Sequence, residues 1–237
     1  MKLPVLEHIH CEYCKSRFKS VFCDLNVEDL ENLSLHKTCN IYPKGQIIFW
    51  EGNNPQSIFC INEGVVKTSK IGVDGREQIL RMAKQGDILG YRSMLTGEPS
   101  TVSAVALEDT KVCQIPKENF LKLVQTNSDV SMKLMKLLAS ELDAAEITIA
   151  SLAQKQVRER VAETLLMLKE FYGMEDDGKT IKASMSRYDI ASIAGTARET
   201  ATRLLSEFKH DKVIDFDTKR ILILNPQKLI SIANITD

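Results

Sequence analysis

Gly195-Thr196-Ala197-Arg198-Glu199-Thr200-Ala201-Thr202-Arg203-Leu204-Leu205 is the stretch on which the reading of this 237-residue chain turns. Just ahead of it, Ser186-Arg187-Tyr188-Asp189 places a hydroxyl at a helix start with an acidic residue three positions on, a capping-box-like opening. Ile190, Ile193 and Ala194 give that helix a buried face, and Gly195 breaks it. Thr196-Ala197-Arg198-Glu199 then opens a second helix in the same manner, with Leu204, Leu205 and Phe208 on its buried side. Two short helices joined by a glycine turn fit a helix-turn-helix, whose second helix enters the major groove N-terminus first. Arg198, Glu199, Thr202 and Arg203 fall on the face opposite the leucines. Arginine can donate twice to guanine N7 and O6, and a carboxylate can accept from cytosine N4. The plainer alternative is a Glu199 that completes a capping box and arginines that face water. A hairpin follows, Val213–Phe216 and Arg220–Leu224 around Asp217-Thr218-Lys219, placed as a wing against a phosphate backbone.

Upstream, apolar periodicity changes twice. Val27, Leu30 and Leu33 predict a short helix. From Cys39 to Pro116, short β-rich runs (46–49, 57–61, 65–71, 78–82, 101–107 and 111–115) alternate with glycine turns, the pattern of an all-β roll or barrel. Beyond Pro116 a short helix is expected over 117–125 and a long one over 130–155. In the long one Met135, Leu138, Leu142, Ala145, Ile149 and Leu152 repeat at alternating spacings of three and four. That is a narrow a/d seam suited to a second copy of the chain, with Lys136, Glu141, Asp143 and Glu146 keeping the other faces polar. Because Ala145 and not a charge sits in the seam, the dimer is expected to persist without any cofactor. A helix over 156–172 and a strand over 181–185 precede the helix-turn-helix. The organisation expected is a cysteine-containing segment at 1–25, a sensor roll at 26–125, a dimerisation helix at 126–155 and a winged DNA-binding domain at 156–237.

Composition is that of a folded globular chain, 43% hydrophobic and 27% charged. No run of about 18 apolar residues predicts a membrane span, and Met1–His8 lacks the apolar stretch of a signal peptide. The expected compartment is the cytoplasm. Thiols stay reduced there, so the six cysteines read as core residues, ligands or redox groups and not as disulfides. A net charge of −1 is neutral on DNA, since phosphate attraction acts over roughly 8–10 Å and needs only a local basic face. Cys11, Cys14, Cys23 and the distant Cys113 are soft ligands that could hold zinc or an iron–sulfur cluster. Cys39 and Cys60 read as core residues, and His8 and His10 as tail residues. No phosphate loop, His-Glu-x-x-His or nucleophile elbow points to an enzyme.

With roll, seam helix and winged helix in this order, the chain resembles a Crp/Fnr-type transcriptional regulator over essentially its full length. Pro43-x-Gly45-x-x-x-Phe49-x-x-Gly52, Glu63-Gly64 and Gly86-Asp87-x-x-Gly90 are similar to that family's roll punctuation. Gly195-x-x-Arg198-Glu199-Thr200-x-x-Arg203-Leu204-Leu205 resembles its recognition helix. The resemblance implies an α+β fold: an N-terminal β-roll of the cyclic-nucleotide-binding-like jelly-roll kind, a long dimerisation helix and a C-terminal winged helix-turn-helix. It also implies that Arg198, Glu199 and Arg203 read a TGA-type half-site, with Thr202 shaping preference at an adjacent base. A two-fold dimer would then sit on a palindrome in double-stranded DNA, with RNA polymerase as its protein partner.

Two branches of the family differ at the sensor. In the cyclic-AMP-binding branch a glutamate follows the glycine at the position of Gly90, and an Arg-Ser pair opens the next strand. Here those places hold Tyr91 and Ser100-Thr101, with Arg92 beside the expected position as the substitute countercharge, and cyclic AMP is not expected. The oxygen-sensing Fnr branch carries N-terminal cysteines and one distant cysteine in the roll. Cys11-x2-Cys14-x8-Cys23 is similar, with one of the longer second gaps, and Val112-Cys113-x-Ile115-Pro116 sits where the distant cysteine belongs. By that resemblance the four thiolates bind a 4Fe–4S cluster sensitive to oxygen or nitric oxide. The alternative is a regulator of the same family without a cluster, controlled by a small effector or haem in the roll.

Overall fold

The computed structural model describes residues 10–234, so the readings of the signal-peptide region Met1–His8 and of His8 as a tail residue lie outside the described residues. Backbone packing divides the chain into two units. One runs up to Lys70 and resumes over Leu80–Asp143; the other comprises Ile71–Ile79 and the chain from Ala144 onward.

In the first unit, two 3-10 turns (Cys11–Tyr13 and Arg17–Lys19) lead into α1 (Val27–His36). The side chain of Asn26 caps α1 by accepting from Asp29 N–H at 2.8 Å. Eight strands follow: β1 (Thr38–Tyr42), β2 (Ile47–Phe49), β3 (Ser57–Glu63), β4 (Val66–Ile71), β5 (Glu77–Ala83), β6 (Ile88–Leu89), β7 (Ser103–Ala106) and β8 (Thr110–Pro116). They form two four-stranded sheets ordered β1-β8-β3-β6 and β2-β7-β4-β5. Between β6 and β7 lies α2 (Tyr91–Thr96); after β8 come α3 (Lys117–Thr126) and the long α4 (Ser128–Gln154). The strand runs over 46–115, the short helix after Pro116 and the long helix all form as expected. β1, β6 and α2 had no counterpart in the sequence reading.

Alternation along β3 and β8 sends side chains to two different cores. Phe59, Ile61 and Val112 join Phe49, Val66, Ala83, Leu89 and Ala104 inside the roll. Ile58 and Ile115 face the other way, where Cys11, Phe22, Leu30, Leu33, Phe120, Val130 and Leu134 cover the sheet. The N-terminal cysteine segment and the first turns of α4 therefore share one apolar cluster.

Glu141 of α4, read as one of the residues keeping the outer faces polar, instead turns inward. Its side chain is only 10% exposed and bridges Arg81 of β5 and Arg92 of α2. Arg92, the countercharge considered for a cyclic phosphate, is engaged by this carboxylate.

The second unit carries α5 (Val157–Tyr172), β9 (Thr180–Ser184), α6 (Arg187–Ala194), α7 (Arg198–His210), β10 (Ile214–Asp217), β11 (Arg220–Ile223) and α8 (Pro226–Ala233). The strands form one sheet ordered β10-β11-β9. Leu165 and Leu168 of α5, Ile190 of α6, Leu205 and Phe208 of α7, and Leu229 of α8 are fully buried. α8 was not anticipated, although Asn225 caps it by accepting from Lys228 N–H and Pro226 occupies its first turn.

Replacing Glu141 with alanine leaves two guanidinium groups facing a half-buried gap. Hydrogen bonds to charged groups contribute about 1.5–3 kcal/mol. Glu141→Ala is expected to lower the unfolding free energy by an amount in that range, read as a lower urea midpoint at fixed protein concentration, and Glu141→Gln by less. An unchanged midpoint for Glu141→Ala would show that the bridge carries no stability.

Candidate DNA interface and thiol cavity

α6 begins as the sequence requires: the Ser186 hydroxyl accepts from Asp189 N–H at 3.0 Å. It ends at Gly195, which takes a left-handed conformation at φ 64°. The left-handed backbone calls for glycine; a Cβ there would come within 2.6 Å of the tip of the exposed Leu152 side chain, which can move aside. α7 starts one residue later than expected. Its cap is Ala197, with no side-chain hydrogen bond, and Thr196 donates its N–H to Ala191 O at 3.0 Å instead of capping the helix. Glu199 is thus free of the capping-box duty that was its plainer alternative.

Arg198, Glu199 and Arg203 are exposed on the first turns of α7, with Thr202 partly exposed beside them. Ala201, Leu204, Leu205 and Phe208 hold the opposite face in the core. Arg203 is restrained by Glu207 one turn on, at 2.5 Å, and Glu207 also accepts from Arg158 at 2.7 Å. The Thr202 hydroxyl donates to Arg198 O at 2.8 Å.

Sequence reasoning missed Arg160 of α5, whose guanidinium donates to Ala194 O (2.9 Å), Gly195 O (3.2 Å) and Lys155 O (2.8 Å). It satisfies carbonyls left over at the end of α6 and so fixes the turn that aims α7. Arg187 lies over the Phe216 ring at 4.6 Å, joining the start of α6 to the β10–β11 hairpin. That hairpin is the wing, and Lys219 is exposed at its tip.

The cysteines are arranged differently from the expectation. Cys39 of β1, Cys113 of β8 and Cys60 of β3 lie directly opposite one another across three adjacent strands. Cys39 and Cys113, whose Cα atoms are 4.0 Å apart, are joined as a disulfide. The expectation that no cysteine would pair is corrected here: antiparallel register puts the two side chains on one face at closest approach. Cys39 is accordingly a bonding partner of Cys113 and not a plain core residue. Cys11, Cys14, Cys60 and Cys113 line one cavity of about 50 Å³ between the sheet and the N-terminal segment, together with Phe22, Ile115 and Asn62. Asn62 donates to Cys14 Sγ at 3.3 Å, and Cys11 N–H donates to the Ser34 hydroxyl at 2.8 Å. Burial, and next the nearby Cys11 and Cys14, push the Cys60 thiol upward. Gly86 lets the segment approach, since a Cβ there would lie 2.6 Å from Lys19 Cβ.

Cys23, expected as a ligand with Cys11, Cys14 and Cys113, is not among the residues lining this cavity. Lys133 of α4 donates to its sulfur at 3.0 Å and also pairs with Asp24. His10 stays in its own turn, where its Nδ1 accepts from Glu12 N–H at 3.4 Å.

Among the described residues no three His, Cys, Asp or Glu side chains converge to hold a metal ion as they stand. Soft thiols around an apolar cavity do suit an iron–sulfur cluster in donor chemistry, provided a thiol reductant first cleaves the Cys39–Cys113 disulfide by exchange, its two electrons returning both cysteines to thiols.

On α4, Met135 (54% exposed), Leu142 (60%) and Ile149 (65%) stand open, as do Leu138, Ala145 and Leu152. Six such residues along one helix leave apolar surface that a single chain does not cover. No helix among the described residues is long and apolar enough to cross a membrane.

A roll on a long helix, followed by a winged helix-turn-helix with an exposed polar recognition face, defines a DNA-binding regulator. Residues 40–127 match the cyclic nucleotide-binding domain model, and residues 159–232 the Crp-like helix-turn-helix domain model. The chain is 30% identical over 235 residues to the transcriptional activator protein anr of Pseudomonas aeruginosa, covering 98% of this chain and 96% of that one. It is 29% identical to the fumarate and nitrate reduction regulatory protein of Vibrio cholerae, covering 96% and 92%. The structure of FixK2 from Bradyrhizobium japonicum superposes with a TM-score of 0.74 at 28% identity, covering 85% of this chain and 99% of that one. The chain belongs to the Crp/Fnr family of transcriptional regulators.

Two outcomes follow from this geometry. Thiol titration of unfolded protein kept from reductant should give four free thiols against six after reduction, because Cys11, Cys14, Cys23 and Cys60 are free; six in both would contradict the pairing. Arg160→Ala should cost the second unit about 1.5–3 kcal/mol and weaken DNA binding, read by denaturant titration and fluorescence anisotropy; retention of both would remove its positioning role.

Proposed function

We propose that two copies of this chain, paired along Met135, Leu138, Leu142, Ala145, Ile149 and Leu152, bind a palindrome of TGA-type half-sites and regulate transcription in the cytoplasm through contact with RNA polymerase. The observation that carries this is the exposed face at the start of α7. Arg198 and Arg203 supply guanidinium donors there, and Glu199 supplies an acceptor that no cap consumes. In this reading Arg198, Glu199 and Arg203 take base edges, Thr202 tunes an adjacent base, and Lys219 on the wing meets phosphate. Arg203 exchanges its bond to Glu207 for a base, so part of its ordering is already in place.

The signal is oxygen or nitric oxide, acting at a 4Fe–4S cluster held by Cys11, Cys14, Cys113 and one further thiol. Support comes from the thiols gathered at one cavity and from the resemblance to the oxygen-sensing Fnr branch. When bound, the cluster supplies a redox- and gas-sensitive group. The chain's own residues bring the N-terminal segment onto the sheet, and Asn62 sets a hydrogen-bond donor on the Cys14 sulfur. Filling of the roll interior by Phe49, Phe59 and Leu89 counts against the alternative of an effector or haem held there. The dimer persists without the cluster, because no charge occupies the seam. The signal then reorients DNA-binding units that are already paired.

Each good bidentate base contact contributes about 1–3 kcal/mol, or roughly 5–150-fold in affinity. Arg203→Ala should weaken binding to the palindrome by a factor in that range. Glu199→Ala should instead flatten the preference among half-site variants, both measured by anisotropy at one salt concentration. Equal affinity of the wild type for palindrome and scrambled duplex would sink the reading. Sedimentation of metal-free protein at micromolar concentration should give a dimer; a clean monomer would refute seam persistence.

A further inference from the structure

We propose that Cys60, and not Cys23, is the fourth thiol of the sensor site, so that the set is Cys11, Cys14, Cys60 and Cys113. This rests on the cluster reading given above, with the Cys39–Cys113 disulfide reduced by a cytosolic thiol so that Cys113 is a free ligand. Three independent observations lead to it. Cys60 lies directly opposite Cys113 in the β3–β8 register, and directly opposed residues share a face. Alternation along β3 puts Cys60 with Ile58 on the sheet face covered by the N-terminal segment, away from the roll interior that takes Phe59 and Ile61. The cavity on that face is lined by Cys11, Cys14, Cys60 and Cys113 together.

Cys23 is held elsewhere at both ends. Its sulfur accepts from Lys133 of α4 at 3.0 Å, and its carbonyl oxygen accepts from the Arg17 guanidinium. Between Cys14 and Cys23 the chain makes the Arg17–Lys19 turn and buries Phe22, which carries Cys23 past the cavity toward α4. The long second gap thus has a structural consequence: the third N-terminal cysteine overshoots, and a sheet cysteine stands where a ligand is needed.

The test uses anaerobically purified full-length wild type, Cys60→Ser, Cys60→Ala and Cys23→Ser, with iron and acid-labile sulfide measured per chain. Cys23→Ser is expected to keep the wild-type content, and both Cys60 variants to fall at least fivefold. Should the Cys60 variants fold poorly, iodoacetamide labelling of wild type read by mass spectrometry decides the matter without them. Cys23 should label at the same rate with and without the cluster, whereas protection of Cys23 by the cluster overturns the assignment. Full iron and sulfide in Cys60→Ala overturns it as well while leaving the cluster reading intact. A wild type without iron and sulfide overturns the cluster reading itself, and this assignment with it.

Discussion

A pleated strand offers only two faces, and the placement of both the core and the thiols depends on how β3 and β8 use them. One face carries Phe59, Ile61 and Val112 into the roll; the other carries Ile58, Cys60, Cys113 and Ile115 toward the N-terminal segment. A one-residue slip in either strand would exchange core and cysteines. Burial of the apolar face therefore fixes the position of the thiols as firmly as it fixes the core. The cluster that receives the second face includes Cys11 and Phe22 as well as Val130 and Leu134 of α4. The N-terminal segment and the first turns of α4 thus pack in one cluster, and α4 itself runs to Gln154.

Charge fastens the same helix further along. Glu141 binds Arg81 and Arg92 from two elements of the roll, and Lys133 ties α4 to Asp24 and Cys23. With apolar packing at Val130 and Leu134, ion pairs at Lys133 and Glu141, and exposed seam residues on another face, α4 links thiol chemistry, roll and dimerisation. In the DNA-binding unit Arg160 plays the corresponding part by holding the carbonyls at the end of α6.

Much of this was legible in the sequence, and the gaps have physical causes. The a/d spacing of α4, the helical period of α7, the Ser186 cap and the Gly195 turn are local signals, and all four form, with α7 starting one residue later than read. β6 is two residues long, too short to show alternation. Glu141 could not be told from a solvent-facing acid, because its partners lie about 50–60 residues away in sequence. Thr196 resembled a cap, yet the chain spends that residue in the turn after Gly195. Cys39 looked like a plain core residue because a strand cysteine carries no local sign of what lies opposite, whereas Cys60 does pack against the core as read. Only register sets them both opposite Cys113, and the ligand set with Cys23 was implied by the resemblance to the Fnr branch, whereas the turn at Arg17–Lys19 and the buried Phe22 lead Cys23 away from the cavity.

In the function proposed, chemistry at the thiol cavity is coupled to DNA reading in a chain that stays paired. The most direct measurement is fluorescence anisotropy on a TGA-type palindrome, before and after exposure of anaerobic protein to oxygen, with sedimentation run in parallel. Affinity should change by tenfold or more, at least about 1.4 kcal/mol, while the mass remains that of a dimer. Unchanged affinity after loss of the bound iron would contradict that coupling.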